Sequence, residues 1–114
     1  MTPRTYQDFL QDILDSIDNV ESFTREMDFD RFIDDKKTYL AVTRALEIIG
    51  EATKNIPGAV RDRYPEIPWR KMAGLRDRLA HAYFGTDPEI LWELIKKDLP
   101  PLKPLVKKVM SQIR

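Results

Sequence analysis

Residues 35–58 read "DKKTYLAVTRALEIIGEATKNIPG", and this stretch decides the fold. Val42, Leu46, Ile49, Ala52 and Ile56 recur every three or four positions, the spacing of one face of an α-helix. Ala41, Ala45 and Ile48 extend that line sideways, so the helix is apolar over more than one stripe. A helix from about Asp35 to Asn55, stopped by Pro57–Gly58, therefore has a central place or a second packing partner.

The flanking sequence follows the same period. Thr2 and Pro3 look like an N-cap followed by proline at the first helical position. Tyr6, Leu10, Ile13, Ile17 and Val20 then form an amphipathic stripe that Phe9, Leu14 and Phe23 widen. "FDRFIDD" reads as a short helical turn, and "IPGAVRDRYPEIPWRK" as a loop with one turn near Val60–Tyr64. Pro68 opens a third main helix carrying Met72, Leu75, Leu79 and Tyr83, which Gly85 closes. Asp87–Pro88 caps the next helix, and Asp98 a last one with Leu102, Leu105, Val106, Val109 and Ile113 on its apolar side. No stretch alternates with period two long enough to be a strand. The expectation is an all-α, antiparallel bundle of four to five helices, one domain over residues 1–114.

Composition narrows the chemistry. The 114 residues contain no cysteine, which removes disulfides, thiolate zinc sites and cysteine nucleophiles. Asp8, Asp12, Asp15 and Asp18 break the N-terminal apolar runs, so no signal peptide is expected there. Runs such as Tyr39–Val42 are far too short to span a bilayer. A soluble, cytoplasmic protein without a membrane partner is the expectation. Net charge is zero, but residues 1–35 hold ten acids against three bases, and residues 36–114 nine acids against sixteen bases. By itself that asymmetry fits solvated helix faces better than a phosphate-binding surface.

The one histidine, His81, lies in "RDRLAHAYFGTD", residues 76–87. A lone helical histidine is more often exposed or packed than catalytic. On an ideal helix of about 100° per residue it projects opposite Met72, Leu75, Leu79 and Tyr83, away from its own core. Asp77, four residues earlier, shares its face and can either orient the imidazole or make an ordinary surface ion pair. Arg76 and Tyr83 share a face, whereas Arg76 and His81 do not align. Those two converge only through the long arginine side chain, a bend, or a second copy of the chain.

"GLRDRLAHAYFG" (74–85) has arginine, four residues, histidine, one residue, tyrosine. In this it resembles the signature of the HepT-like branch of the HEPN superfamily. "RALEIIGEATKNIP" (44–57), "RYPEIPWRKMAGLRDRLAHAYFG" (63–85) and "DLPPLKPLV" (98–106) resemble the same branch. At position 77 this chain has aspartate where that branch often has asparagine, and a carboxylate beside a phosphate is mildly repulsive.

The resemblance implies an all-helical homodimer whose two motifs meet in a cleft, and a metal-independent endoribonuclease that needs no cofactor. It further implies the toxin of a type VII toxin–antitoxin pair, with Arg76 and His81 catalytic. Tyr83 would be the acceptor of AMP from a minimal nucleotidyltransferase antitoxin. The residues suit that chemistry. Metal-free cleavage by the RNA 2′-hydroxyl needs a proton acceptor, a proton donor and a cation on the phosphate. Histidine serves either proton transfer and arginine forks phosphate oxygens. A symmetric dimer would supply the second His81.

Other candidates carry less. Arg44 and Glu51 fall in the matched text and stand as supporting residues with Asp77 and Arg78. Glu47 and Glu51 are four apart like metal ligands, but no histidine shares their segment, and a solvated or salt-bridging pair is the better reading. Arg61, Arg63, Arg70 and Lys71 either guide RNA phosphates or simply solvate the surface. Trp69 and Trp92 read as packing residues. Two other functions compete: a non-catalytic helical subunit that binds substrate for a nucleotidyltransferase, and a dimeric scaffold. Growth arrest on expression of the chain alone separates the enzyme from both.

Overall fold

The computed structural model of the chain describes residues 3–75, 77–79 and 88–113. Every regular element among the described residues is helical. Two 19-residue helices, α1 (Tyr6–Thr24) and α3 (Lys36–Lys54), make the most extensive helix–helix contact. A last long helix, α7 (Leu102–Gln112), packs on α1. Short helices complete the fold: α2 (Phe29–Asp34), α4 (Gly58–Arg63), α5 (Trp69–Ala73) and α6 (Pro88–Glu93).

The apolar stripes read from the sequence are the core. Leu10, Ile13, Ile17 and Val20 of α1 are wholly buried against Val42, Leu46 and Ile49 of α3, and Val106 and Val109 of α7 join the same cluster. Each such Leu, Ile or Val contributes about 1.5–3 kcal/mol by leaving water. The wide apolar face of α3 is used as expected of a central helix, because it receives α1, α2 and α5. Its ends also match: Asp35 caps it by accepting from the Thr38 N–H at 3.0 Å, and Asn55 closes it. Three buried threonines turn their hydroxyls back onto the preceding turn, Thr24 to Val20 O, Thr43 to Tyr39 O and Thr53 to Ile49 O. They hide a polar group without a partner helix.

Three boundaries differ from the sequence reading. Pro3 is not helical; α1 begins at Tyr6, where Thr5 and Asp8 form a reciprocal capping box that satisfies two backbone donors instead of one. The third main helix opens after Pro68 as expected but is interrupted at Gly74; Leu75 and residues 77–79 are again helical. Asp98 does not cap the last helix. Residues Leu94–Asp98 form a π-helical turn in which the Leu99 N–H donates to Leu94 O at 2.9 Å. Pro100 and Pro101 have no N–H to extend it, so α7 starts at Leu102.

"FDRFIDD" has a role that periodicity did not disclose. Phe32 of α2 is fully buried, its ring 5.1 Å from Trp92 of α6 and 5.4 Å from Tyr39 of α3. Phe29 meets Trp92 edge-on at 6.2 Å. This aromatic cluster ties α2, α3 and α6 together. Burial also pushes the Tyr39 phenol above its ordinary value.

Candidate functional site

Arg76, His81 and Tyr83 lie outside the described residues, as do Gly85 and Asp87. What the structure gives is the frame on both sides of them. On the entry side, Met72 and Leu75 are buried against the core. A small residue at position 50 of α3 leaves room for that approach: a Cβ built on Gly50 stands 3.4 Å from Met72 O and 3.7 Å from Leu75 Cβ. Asp77 and Arg78 send their N–H groups to Gly74 O at 3.1 and 3.4 Å, and Leu79 is buried. On the exit side, Leu91 and Leu94 are buried and Trp92 sits in the aromatic cluster.

The supporting residues fall in separate places. Asp77 is exposed and makes no ion pair among the described residues. Arg78 pairs with Asp98 at 3.3 Å, which links the motif segment to the π-turn. The two residues border a groove of about 350 Å³ whose floor is Met72, Leu75, Leu99 and Leu102 and whose rim includes Lys71. Arg44 and Glu51 do meet, at 3.6 Å, on the outer face of α3, and Arg44 also reaches Glu47 at 3.3 Å. Both carboxylates are thus partnered by arginine, the salt-bridging one of the two arrangements left open for them. Among the described residues no group of His, Asp or Glu is placed to hold a metal ion. Leu40, 49% exposed, stands on the same helix one turn before Arg44.

Of the four cations before the motif, Arg63 is exposed and lines neither space, and the other three divide. Lys71 faces the groove with Arg78, while Arg70 lines a different cavity with Arg61. Trp69 is a packing residue as expected, buried with its indole N–H donated to the carbonyls of Arg61 and Tyr64. Trp92 packs as well, and Lys96 lies over its ring at 4.7 Å. The sequence reading passed over Lys103, which joins α7 to α1 through Asp18 at 2.7 Å and Glu21 at 3.3 Å. Those bonds, the one to Asp18 foremost, raise the ammonium above its ordinary value. The signal was available only as two acids three apart facing a helix end 82 residues away in sequence. No helix among the described residues is long and apolar enough to cross a membrane.

Comparison with known proteins gives a consistent answer. The family described as "Ribonuclease HepT-like" matches residues 13–109. A protein of Thermococcus cleftensis named as a probable ribonuclease HepT is 56% identical over 100 residues, covering 88% of this chain and 91% of the relative. A candidate RNase of Methanocaldococcus jannaschii is 42% identical over 113 residues, covering 99% and 97%. Another, from Caldanaerobacter subterraneus subsp. tengcongensis, is 39% identical over 111 residues, covering 97% and 96%. No solved structure matches. The matched region runs from the core of α1 through the Arg76–Tyr83 segment into α7, and the chain belongs to the HepT-like ribonuclease family.

Proposed function

We propose that this chain is a metal-independent endoribonuclease, the toxin of a type VII toxin–antitoxin pair, working as a homodimer from the single domain of residues 1–114. The observation that carries the reading is the family match across residues 13–109, which contains the complete Arg76, His81, Tyr83 spacing. RNA is the substrate class. His81 of one protomer takes the proton of the 2′-hydroxyl, which attacks the adjacent phosphorus. The second protomer's His81 protonates the leaving 5′-oxygen, and Arg76 neutralises the charge that develops on the phosphate. The products are a 2′,3′-cyclic phosphate and a free 5′-hydroxyl.

The outer face of α3, where Leu40 stands clear of the core beside the Arg44–Glu51 pair, is the candidate dimer surface together with the motif segment. Tyr83 is the residue that a minimal nucleotidyltransferase partner modifies with AMP, and the reaction runs in the cytoplasm. The test is cleavage of single-stranded RNA by the purified chain with EDTA present. Cyclic phosphate ends are expected, and Arg76→Ala or His81→Ala abolishes cutting while helical content and dimer mass stay unchanged. Activity lost with chelator, full activity of His81→Ala, or a monomer at micromolar concentration overturns the mechanism.

A further inference from the structure

Two short helices bring an arginine each to one cavity. Arg61 at the end of α4 and Arg70 in α5 line a space of about 530 Å³ with Asp62, Pro65, Trp69 and Ala73. Their relation is fixed from below. The Trp69 indole N–H donates to Arg61 O at 3.1 Å and to Tyr64 O at 3.0 Å, and Trp69 itself is 8% exposed. A buried side chain thus staples the last turn of α4 to the first turn of α5, and it does so through the backbone of Arg61.

The charges in this cavity are unspent. Among the described residues neither Arg61 nor Arg70 makes an ion pair, although Arg4, Arg44 and Arg78 all do. Asp62 lines the same space and among the described residues makes no ion pair with either arginine, so two arginines face one carboxylate there. Arg61 Nε is buried with no hydrogen-bond partner. An arginine donor taken from water without an acceptor costs more than 1 kcal/mol or so, and such an orphan in a folded protein calls for a reason. The buried Nε anchors the guanidinium in place, and an anion in the cavity would supply the countercharge that no carboxylate gives it among the described residues.

Arginine forks match the oxygens of a phosphate two at a time. The space is a solvent-open depression many times larger than the roughly 10–15 Å³ one water needs, so an extended phosphodiester can lie across it as readily as a bare ion. With Trp69 buried, no ring is left as a base-stacking platform, which suits contact with backbone and not with sequence. Ala73 on the wall is three residues before Arg76 in the chain. We infer that the Arg61–Arg70 cavity is a phosphate-backbone subsite that holds RNA away from the bond being cut. This rests on the ribonuclease reading for the identity of its ligand.

The test separates the two. The full-length chain carrying His81→Ala is titrated into a fluorescein-labelled oligouridylate dodecamer over a salt series. Adding Arg70→Glu, a change at an exposed position, is expected to weaken binding about tenfold near 50 mM salt. Arg61→Ala with Arg70→Ala is expected to reduce the slope of log K against log salt by roughly 0.7 to 1.4. Arg70→Lys keeps the slope, because the charge remains. If Arg70→Glu binds with unchanged affinity and slope while the wild-type chain cuts RNA, the subsite is refuted and the ribonuclease reading stands. If binding depends on both arginines and the wild-type chain cuts nothing, the ribonuclease reading fails and the cavity stands. A variant that keeps its RNA affinity but loses binding to poly-glutamate also refutes the subsite, since that marks a protein-docking surface.

Discussion

Arg78 and Asp98, twenty residues apart, hold their guanidinium and carboxylate 3.3 Å from each other with both side chains more than a third exposed. An exposed pair of this kind contributes about 1 kcal/mol or less. Its effect is local: it fastens the turn after Arg76 to the π-turn that leads into α7. Arg78→Ala is therefore expected to change unfolding free energy by less than about 1 kcal/mol and RNA cleavage by less than about tenfold. Urea titration and initial rates check both. Complete loss of cutting in a folded Arg78→Ala protein would show that Arg78 touches RNA directly.

Gly50 lets α5 lie close to α3. At 3.4 Å from Met72 O, an alanine methyl makes ordinary contact, and alanine gains up to about 1 kcal/mol of helix propensity over glycine. Gly50→Ala is expected to be neutral or slightly stabilising. Gly50→Leu has no such room, because its further atoms run into Met72 and Leu75, and overpacking costs about 1–3 kcal/mol. The same wedge displaces the segment leading to Arg76, so activity is expected to fall further than stability. Denaturant midpoints and cleavage rates on both variants measure the split; equal tolerance of Ala and Leu would contradict the close approach.

Asp35 carries a pH signature. The backbone N–H of Thr38 is the main cause that holds its carboxylate below the ordinary value. A folded-state pKa below the unfolded one means the cap stabilises the fold above the ordinary carboxylate pKa. That contribution is lost as pH falls through the folded value. Asp35→Ala is expected to melt at a lower temperature than wild type near about pH 7, with the gap closing as the solution is taken to about pH 2–3. Thermal unfolding followed by circular dichroism at both ends decides it. A gap independent of pH would mean that the charge of Asp35 has no part in the cap.

The helices were legible where one physical signal governed them. Leu46 and Ile49 lie on a stripe that nothing interrupts, and α3 runs from Lys36 to Lys54 between its caps Asp35 and Asn55. The reading failed where two signals competed within a few residues. Thr2–Pro3 is a plausible start, yet Thr5 and Asp8 satisfy each other's backbone groups and so set the end of α1. Asp98 is a good cap by residue type, but the two prolines after it delay the next helix and leave its carboxylate to Arg78. Of the candidate site, the Arg44–Glu51 pair follows from helical spacing alone. The Arg61–Arg70 pairing does not, because it depends on Trp69 folding the chain back on itself across "YPEIP".

Tyr83 follows His81 by two residues, and in the proposed mechanism its phenol is the group that carries a nucleotide while Arg76 and His81 stay chemically intact. In the proposed transfer, the phenol oxygen would attack the α-phosphorus of ATP, pyrophosphate would leave, and the phenol proton would pass to a base on the transferase. If Arg76, His81 and Tyr83 form the RNA site as proposed, the product would put a bulky, negatively charged phosphodiester at that site. Repulsion and occlusion would then act together, and the new phosphate would compete with RNA for Arg76, whose fork suits either. Co-expression with the cognate nucleotidyltransferase is therefore expected to add one or more AMP units at Tyr83 and to suppress RNA cleavage by at least about a hundredfold, the loss of roughly 3 kcal/mol of transition-state stabilisation. Tyr83→Phe is expected to stay unmodified and to keep at least part of its cutting activity, so that the partner no longer protects the cell. Intact-protein mass spectrometry gives the number of units and peptide mapping their position. Adenylylation found only at another residue, or none beside a transferase shown to be active, would refute this control of the enzyme.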